Sequence, residues 1–242
     1  MVRSTISLGG YKLQALNGEL IGRVNDFLFD DRKWVVRYLV LRTGGWFTRE
    51  KKLISPVALG EPDWSSLTIP AKLSVKQVKE SPDISVDRPV SLQQEIELHE
   101  YYDWLPYWLQ EGSAAEPASG HGDTAGGTGS EEEDRHLRSA LEVLTYELQA
   151  EDGKAGRIKD LLIEDGTWVI RYLVVKTSFW KPARRVLVSP LWMRGASWEQ
   201  KKIYVDMPLT IIRNSPRYDP SAPLNKEFET RLYDHYGKPK DW

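Results

Sequence analysis

Residues 22–108 of this chain recur at 156–242 with a constant offset of 134 and no gap. Gly22, Asp26, Trp34, Arg37, Tyr38, Trp46, Pro56 and Trp64 reappear as Gly156, Asp160, Trp168, Arg171, Tyr172, Trp180, Pro190 and Trp198. Trp108 finds its counterpart in Trp242, the last residue. A repeat this long is a whole small domain, since solenoid units measure roughly 20–50 residues. The chain must therefore fold as two related units.

With 242 residues, each unit has enough chain to bury a modest core. Charged residues make up 28% and hydrophobic residues 40%, the balance of an ordinary globular protein. The net charge of −2 speaks against a dedicated nucleic-acid binder but leaves local patches open. The absence of cysteine excludes disulfides, thiolate catalysis and cysteine-based metal sites. No stretch approaches the ~20 apolar residues of a membrane span, and the N-terminus has no apolar leader. A cytoplasmic location is the expectation.

Three segments follow from composition: a first repeat with a closing helix over 1–110, a linker over 111–135, and a second repeat with its helix over 136–242. The linker is rich in Gly and Ser, ends in an acidic run, and holds almost nothing apolar larger than Ala, so it reads as a disordered tether. His121 within it and His136 just beyond it are both expected in solvent.

The first half of each repeat reads as β. Gly22–Asp30 and Trp34–Thr43 are rich in β-branched and aromatic residues, as are Gly156–Glu164 and Trp168–Thr177. Asp165-Gly166 signals a two-residue hairpin turn. That turn would set Asp160 opposite Arg171 and, by the repeat, Asp26 opposite Arg37. Alternation would then place Phe27, Phe29, Trp34, Val36, Tyr38 and Val40 in a core, and Val24, Leu28, Val35, Leu39 and Leu41 on a second face. The second face is too apolar for open water, so Leu39 and Leu173 should be covered. Shorter strands are expected at Lys51–Ser55, Ser66–Ala71, Arg185–Ser189 and Lys201–Asp206. Helical turns should follow at Ser74–Lys79 and Thr210–Arg213, then closing helices at Ser91–Asp103 and Asn225–Tyr236, with Ser91 and Asn225 as N-caps.

The hairpin carries a recognisable pattern: Gly-x-Val/Ile-x-Asp, an acidic turn, Trp-x-Val/Ile-Arg-Tyr-Leu-Val, then Trp46 or Trp180, a basic strand and Ser-Pro. It resembles the PRC-barrel, the small β-barrel of the photosynthetic reaction centre H subunit and of the ribosome maturation factor RimM. The resemblance covers about residues 8–82 and 143–216. It implies a mainly β fold with short helices: two PRC-type small β-barrels, each followed by a C-terminal helix, related by internal duplication. It also implies binding rather than catalysis. The chain lacks the transmembrane helix of the H subunit and the extra N-terminal domain of RimM, so neither specific activity carries over.

No catalytic residue, cofactor site or metal site emerges. Asp26–Arg37 and Asp160–Arg171 read as cross-strand ion pairs that fix register under a partner surface, since no nucleophile or third group converges on them. The acidic turns Asp30-Asp31 and Glu164-Asp165 lack the spacing of a calcium loop, and His99 and His235 have no second histidine at zinc spacing. The basic strands (Arg49, Lys51, Lys52; Lys181, Arg184, Arg185) suit edge protection, with phosphate or acidic-partner contact as the alternative. The aromatic run Tyr101–Trp108, with Trp104 and Trp108, is expected to pack on the opposite repeat rather than serve as a docking face. Leu39, Trp46, Leu173 and Trp180 complete the candidate interaction residues. The sequence thus predicts a non-enzymatic assembly module, two barrels packed as an intrachain pseudo-dimer that binds a further protein, with higher oligomers open. An RNA- or ribosome-associated factor and a small-ligand or metal sensor are the alternatives.

Overall fold

The computed structural model describes residues 1–44, 50–84, 90–111, 136–177 and 184–240. Trp46, Arg49, Trp180, Lys181, Trp242 and the linker beyond Glu111, with His121, lie outside the described residues.

The first half runs β1 (Val2–Ser4), α1 (Thr5–Leu8), β2 (Lys12–Ala15), β3 (Leu20–Asp30), β4 (Val35–Thr43), β5 (Glu50–Ile54), β6 (Thr68–Ala71), α2 (Val75–Glu80), α3 (Leu92–Tyr102) and α4 (Tyr107–Glu111). The second runs β7 (Leu137–Ser139), α5 (Ala140–Val143), β8 (Glu147–Ala150), β9 (Gly153–Glu164), β10 (Ile170–Thr177), β11 (Arg185–Val188), β12 (Met193–Ser197), β13 (Lys202–Val205), α6 (Leu209–Asn214) and α7 (Lys226–Tyr236). The fold is mainly β with short helices. One sheet has the order β5-β4-β3-β2-β6, the other β11-β10-β9-β8-β13-β12. Each is an open path, and no closed barrel forms among the described residues.

Ser74 and Ser91 cap α2 and α3 as capping boxes, reciprocated by Gln77 and Gln94. Asn225 caps α7 through the Phe228 amide.

The hairpin register departs from the expectation. Glu164 N–H donates to the Val169 carbonyl (2.8 Å) and Trp168 N–H to the Glu164 carbonyl (3.1 Å). The connection is therefore a four-residue loop in which Trp168 takes φ 60°, as Trp34 takes φ 56° in the first half. Bulges between Val24 and Asp26 and between Leu28 and Phe29 shift the pairing further, and β9–β10 carries irregularities of the same kind. Asp26 consequently stands opposite Val40 and Asp160 opposite Val174, not opposite Arg37 and Arg171. A bulge adds one residue to one strand, so each one transfers the following side chains to the other face.

The two faces are sorted differently as a result. Val24, Phe27, Phe29, Val36, Leu39 and Leu41 enter a large core shared by both halves. Leu28, Tyr38, Val40 and Leu53 lie on the other face, packed with Ile84, Val90, Leu98 and Leu137. Leu39 and Leu173 are both 0% exposed, but Leu39 belongs to the shared core and not to the outer face. Each aliphatic side chain so buried contributes ~1.5–3 kcal/mol relative to exposure.

Each closing helix covers its own sheet, and α3 also meets the second half through Glu95 and His136. In α3, Leu98 packs on Tyr38 and Val40; in α7, Tyr233 and Tyr236 hold Trp192 at ring distances of 5.1 and 4.7 Å. The reason is the covering demand itself: the outer face of each hairpin lies next to the helix that follows it in sequence.

Candidate functional site

The halves meet by exchanging strands. β1 adds to the second sheet, with Val2, Arg3 and Ser4 opposite Glu164, Ile163 and Leu162. β7 adds to the first, with Leu137, Arg138 and Ser139 opposite Asp30, Phe29 and Leu28. The hairpin ends cross between them: Val36 N–H donates to the Trp168 carbonyl (2.9 Å) and Ile170 N–H to the Trp34 carbonyl (2.7 Å).

The repeated aspartates serve this junction. Asp26 accepts from Ser139 Oγ (2.6 Å) and the Leu141 amide (3.1 Å), and so caps α5 of the other half. Asp160 accepts from Ser4 Oγ (2.5 Å), Thr5 Oγ1 (3.0 Å) and the Ile6 amide (3.3 Å), capping α1. Burial pushes the Asp26 carboxyl up despite these bonds. Arg37 pairs instead with Asp30 at 3.0 Å, and Arg171 with Glu164 at 3.3 Å. Burial acts to raise Asp30, but the bonds from Arg37 and the Arg32 amide outweigh it and hold that carboxyl down.

Flanking the junction are two clefts at corresponding places. In one, Arg3 bonds Asp165 (3.2 Å) and lays its guanidinium 3.9 Å from the Trp64 ring centroid. Beside the other, Arg138 bonds Asp31 (2.8 Å) and lies 4.6 Å from the Trp198 ring centroid. The first cleft, about 550 Å³, is walled by Pro56, Leu59, Pro62, Trp64 and Trp168. The second, about 510 Å³, is walled by Pro190, Leu191, Met193, Trp198 and Trp34. Each needs both halves, because the hairpin end of one faces the Ser-Pro segment and tryptophan of the other.

A buried polar cluster lies under α3. Glu95 is 0% exposed and accepts from Tyr38 Oη (2.9 Å) and Tyr107 Oη (2.6 Å). Tyr38 Oη also lies 2.8 Å from His99 Nε2, and Tyr107 Oη 2.7 Å from His136 Nε2. Burial drives the Glu95 carboxyl up, more than the tyrosines and the nearby His136 draw it down. Burial likewise lowers His99. The second half keeps only the core of this cluster, Tyr172 Oη donating to Glu229 at 2.7 Å. His136 is thus a half-to-half contact, not the solvent-exposed residue expected, because the end of β7 is drawn under Tyr107.

The aromatic run packs mainly on its own helix. Trp104 stacks on Tyr102 at 4.2 Å, and Trp108 lies 4.9 Å from His99; the second half meets this run through His136. The basic strands are partly spent on local ties. Lys52 Nζ, nearly fully buried, donates to the Ser81 carbonyl (2.8 Å) and Asp83 (2.6 Å), while Arg184 reaches the carbonyls of Arg213 and Ser215. No cluster of three or more potential metal ligands occurs among the described residues, and no helix among them is long and apolar enough to cross a membrane.

Sequence reasoning missed β1, β7 and the two clefts. The usable signal was the Arg3-Ser4 and Arg138-Ser139 pair, which precedes each repeat at a spacing one residue longer than the main offset.

A strand-exchanged β module with two clefts at its junction is the class that the geometry defines. Residues 7–79 match the family model of the PRC-barrel domain. A search of curated proteins finds no match.

Proposed function

We propose that this chain is a non-enzymatic interaction and assembly module, built by duplication of one PRC-barrel unit and locked as an intrachain pseudo-dimer. The matching strand orders and the shared Asp–Ser, Arg–Trp and Tyr–Glu contacts in both halves support the duplication. The observation that carries the function is the pair of corresponding tryptophan-walled clefts, each completed only when the halves are joined. Concave sites of ~300–1,000 Å³ with a few placed polar groups are the usual form of a recognition site. The non-enzymatic reading is supported by the burial of Glu95, Tyr38 and His99, and, among the described residues, no nucleophile–base pair lines either cleft. A cytoplasmic location accompanies this reading.

The test is affinity capture from the native cell with intact chain and with Trp64→Ala/Trp198→Ala. A specific protein held by the intact chain and lost from the folded variant is the expected result. Capture of RNA in its place, with steep salt dependence, would favour the ribosome-associated class instead.

A further inference from the structure

The sheet of the first half carries a line of like charges. Lys12 on β2 stands opposite Arg23 on β3, Arg23 opposite Arg42 on β4, and Arg42 opposite Lys51 on β5. Directly paired residues share a face, so four cations form a row across four adjacent strands, about 14 Å long at the usual strand spacing. Like charges in directly opposed positions are destabilising. Among the described residues no ion pair reaches Lys12, Arg23 or Arg42. Arg23 donates to the Gly10 carbonyl (3.1 Å) and Arg42 to Asn25, contacts that orient the guanidiniums without neutralising them.

Three of these positions are cationic in the second half as well, where Arg157, Lys176 and Arg185 stand in the same register. That row is interrupted by Glu147, opposite Arg157 and ion-paired with Lys154 and Arg157. The first half has Lys12 in the place of Glu147. The first row borders a cleft of about 660 Å³, lined by Arg23, Arg42, Lys79, Gly22, Ile6 and Leu20 among others. Ile6 and Leu20 are 54% and 50% exposed, so apolar side chains lie open beside the cations. Among the described residues that line this cleft none is aromatic, and its exposed aliphatic side chains suit the apolar side chains of a peptide.

We propose that this row and cleft dock an extended acidic segment of a partner protein, its carboxylates on Arg23, Arg42 and Lys79 and its apolar side chains on Ile6 and Leu20. The proposal rests on the interaction-module reading and names the chemistry of one face. Electrostatic complementarity of this kind sets partner choice and encounter rate.

The test is fluorescence anisotropy on the full chain with a short labelled peptide of alternating glutamate and leucine. Its comparators are a glutamate–serine peptide of equal length, a single-stranded RNA of mixed sequence, and phosphatidylglycerol-containing vesicles. The glutamate–leucine peptide should bind most tightly. Arg23→Gln/Arg42→Gln should weaken it about fivefold or more, as the loss of two exposed charge pairs allows, with the melting temperature unchanged or raised. Arg157→Gln/Lys176→Gln should change it less than about twofold. Absence of binding, equal loss in the two variants, or tighter binding of the serine peptide, RNA or vesicles would overturn the proposal. A native partner captured equally by the intact chain and by Arg23→Gln/Arg42→Gln would sink the acidic-segment site while leaving the interaction module standing.

Discussion

Asp26 offers a direct probe of how the halves are joined, because two partners compete to explain its recurrence. A plain hairpin would couple it to Arg37 on the neighbouring strand. The structure couples it to Ser139 of the other half at 2.6 Å, with the Leu141 amide at 3.1 Å. Hydrogen bonds to a charged group contribute ~1.5–3 kcal/mol. Burial disfavours this carboxylate and offsets part of that gain, so the Asp26–Ser139 coupling should be about 1–2 kcal/mol. Double-mutant cycles with Asp26→Ala, Ser139→Ala and Arg37→Ala, read by urea unfolding at neutral pH, separate the cases. Asp26 and Arg37 share no contact, so their effects should add within ~0.5 kcal/mol. Coupling to Arg37 with none to Ser139 would refute both the bulged register and the role of Asp26 at the junction.

Glu95 should leave a signature in pH. Its folded-state pKa is raised above the ordinary 4.5, chiefly by burial, so between those two values the folded chain holds a proton that the unfolded chain has lost. Its contribution is present at low pH and is lost as pH rises through the folded value; Glu95→Gln should flatten the fall in unfolding free energy above pH 4.5, and an unchanged slope would exclude it. Gly22 is a close-approach position: an added Cβ would meet the Arg42 carbonyl oxygen at 2.8 Å. Gly22→Ala should cost about 1–3 kcal/mol, and Gly156→Ala, facing the Lys176 carbonyl, at least as much; urea midpoints equal to the parent would contradict this.

How much could be read from the chain depended on what each residue's neighbours in sequence determine. The capped helices at Ser74, Ser91 and Asn225 were legible because capping is local, and the strands of the hairpins because their apolar density is local too. Face assignment failed at Asp26, Leu39 and Tyr38. A bulge is a property of a strand pair, and here glycine-free β-bulges at Asn25 and near Leu28 gave no composition signal. The four-residue loop was hidden for a similar reason: Asp165-Gly166 satisfies a two-residue turn, while the loop has positive φ at Trp168 as well as at Gly166. The junction was anticipated as a pairing of the halves, but its means was not. β1 and β7 span only three residues each, too short for any periodicity. The candidates Trp46 and Trp180 lie outside the described residues, and of the four tryptophans that wall the clefts, Trp64 and Trp198 were seen only as repeat markers.

The central claim is that the two halves form one interlocked unit through exchanged strands β1 and β7. Its most direct test is to insert a protease site into the linker within 112–135, cleave the purified chain, and run size-exclusion chromatography with a thermal melt at micromolar concentration. The account predicts that the cleaved halves co-elute at the size of the intact chain, 27.8 kDa, and melt in a single transition. Separation into two folded half-size species with independent transitions would contradict it.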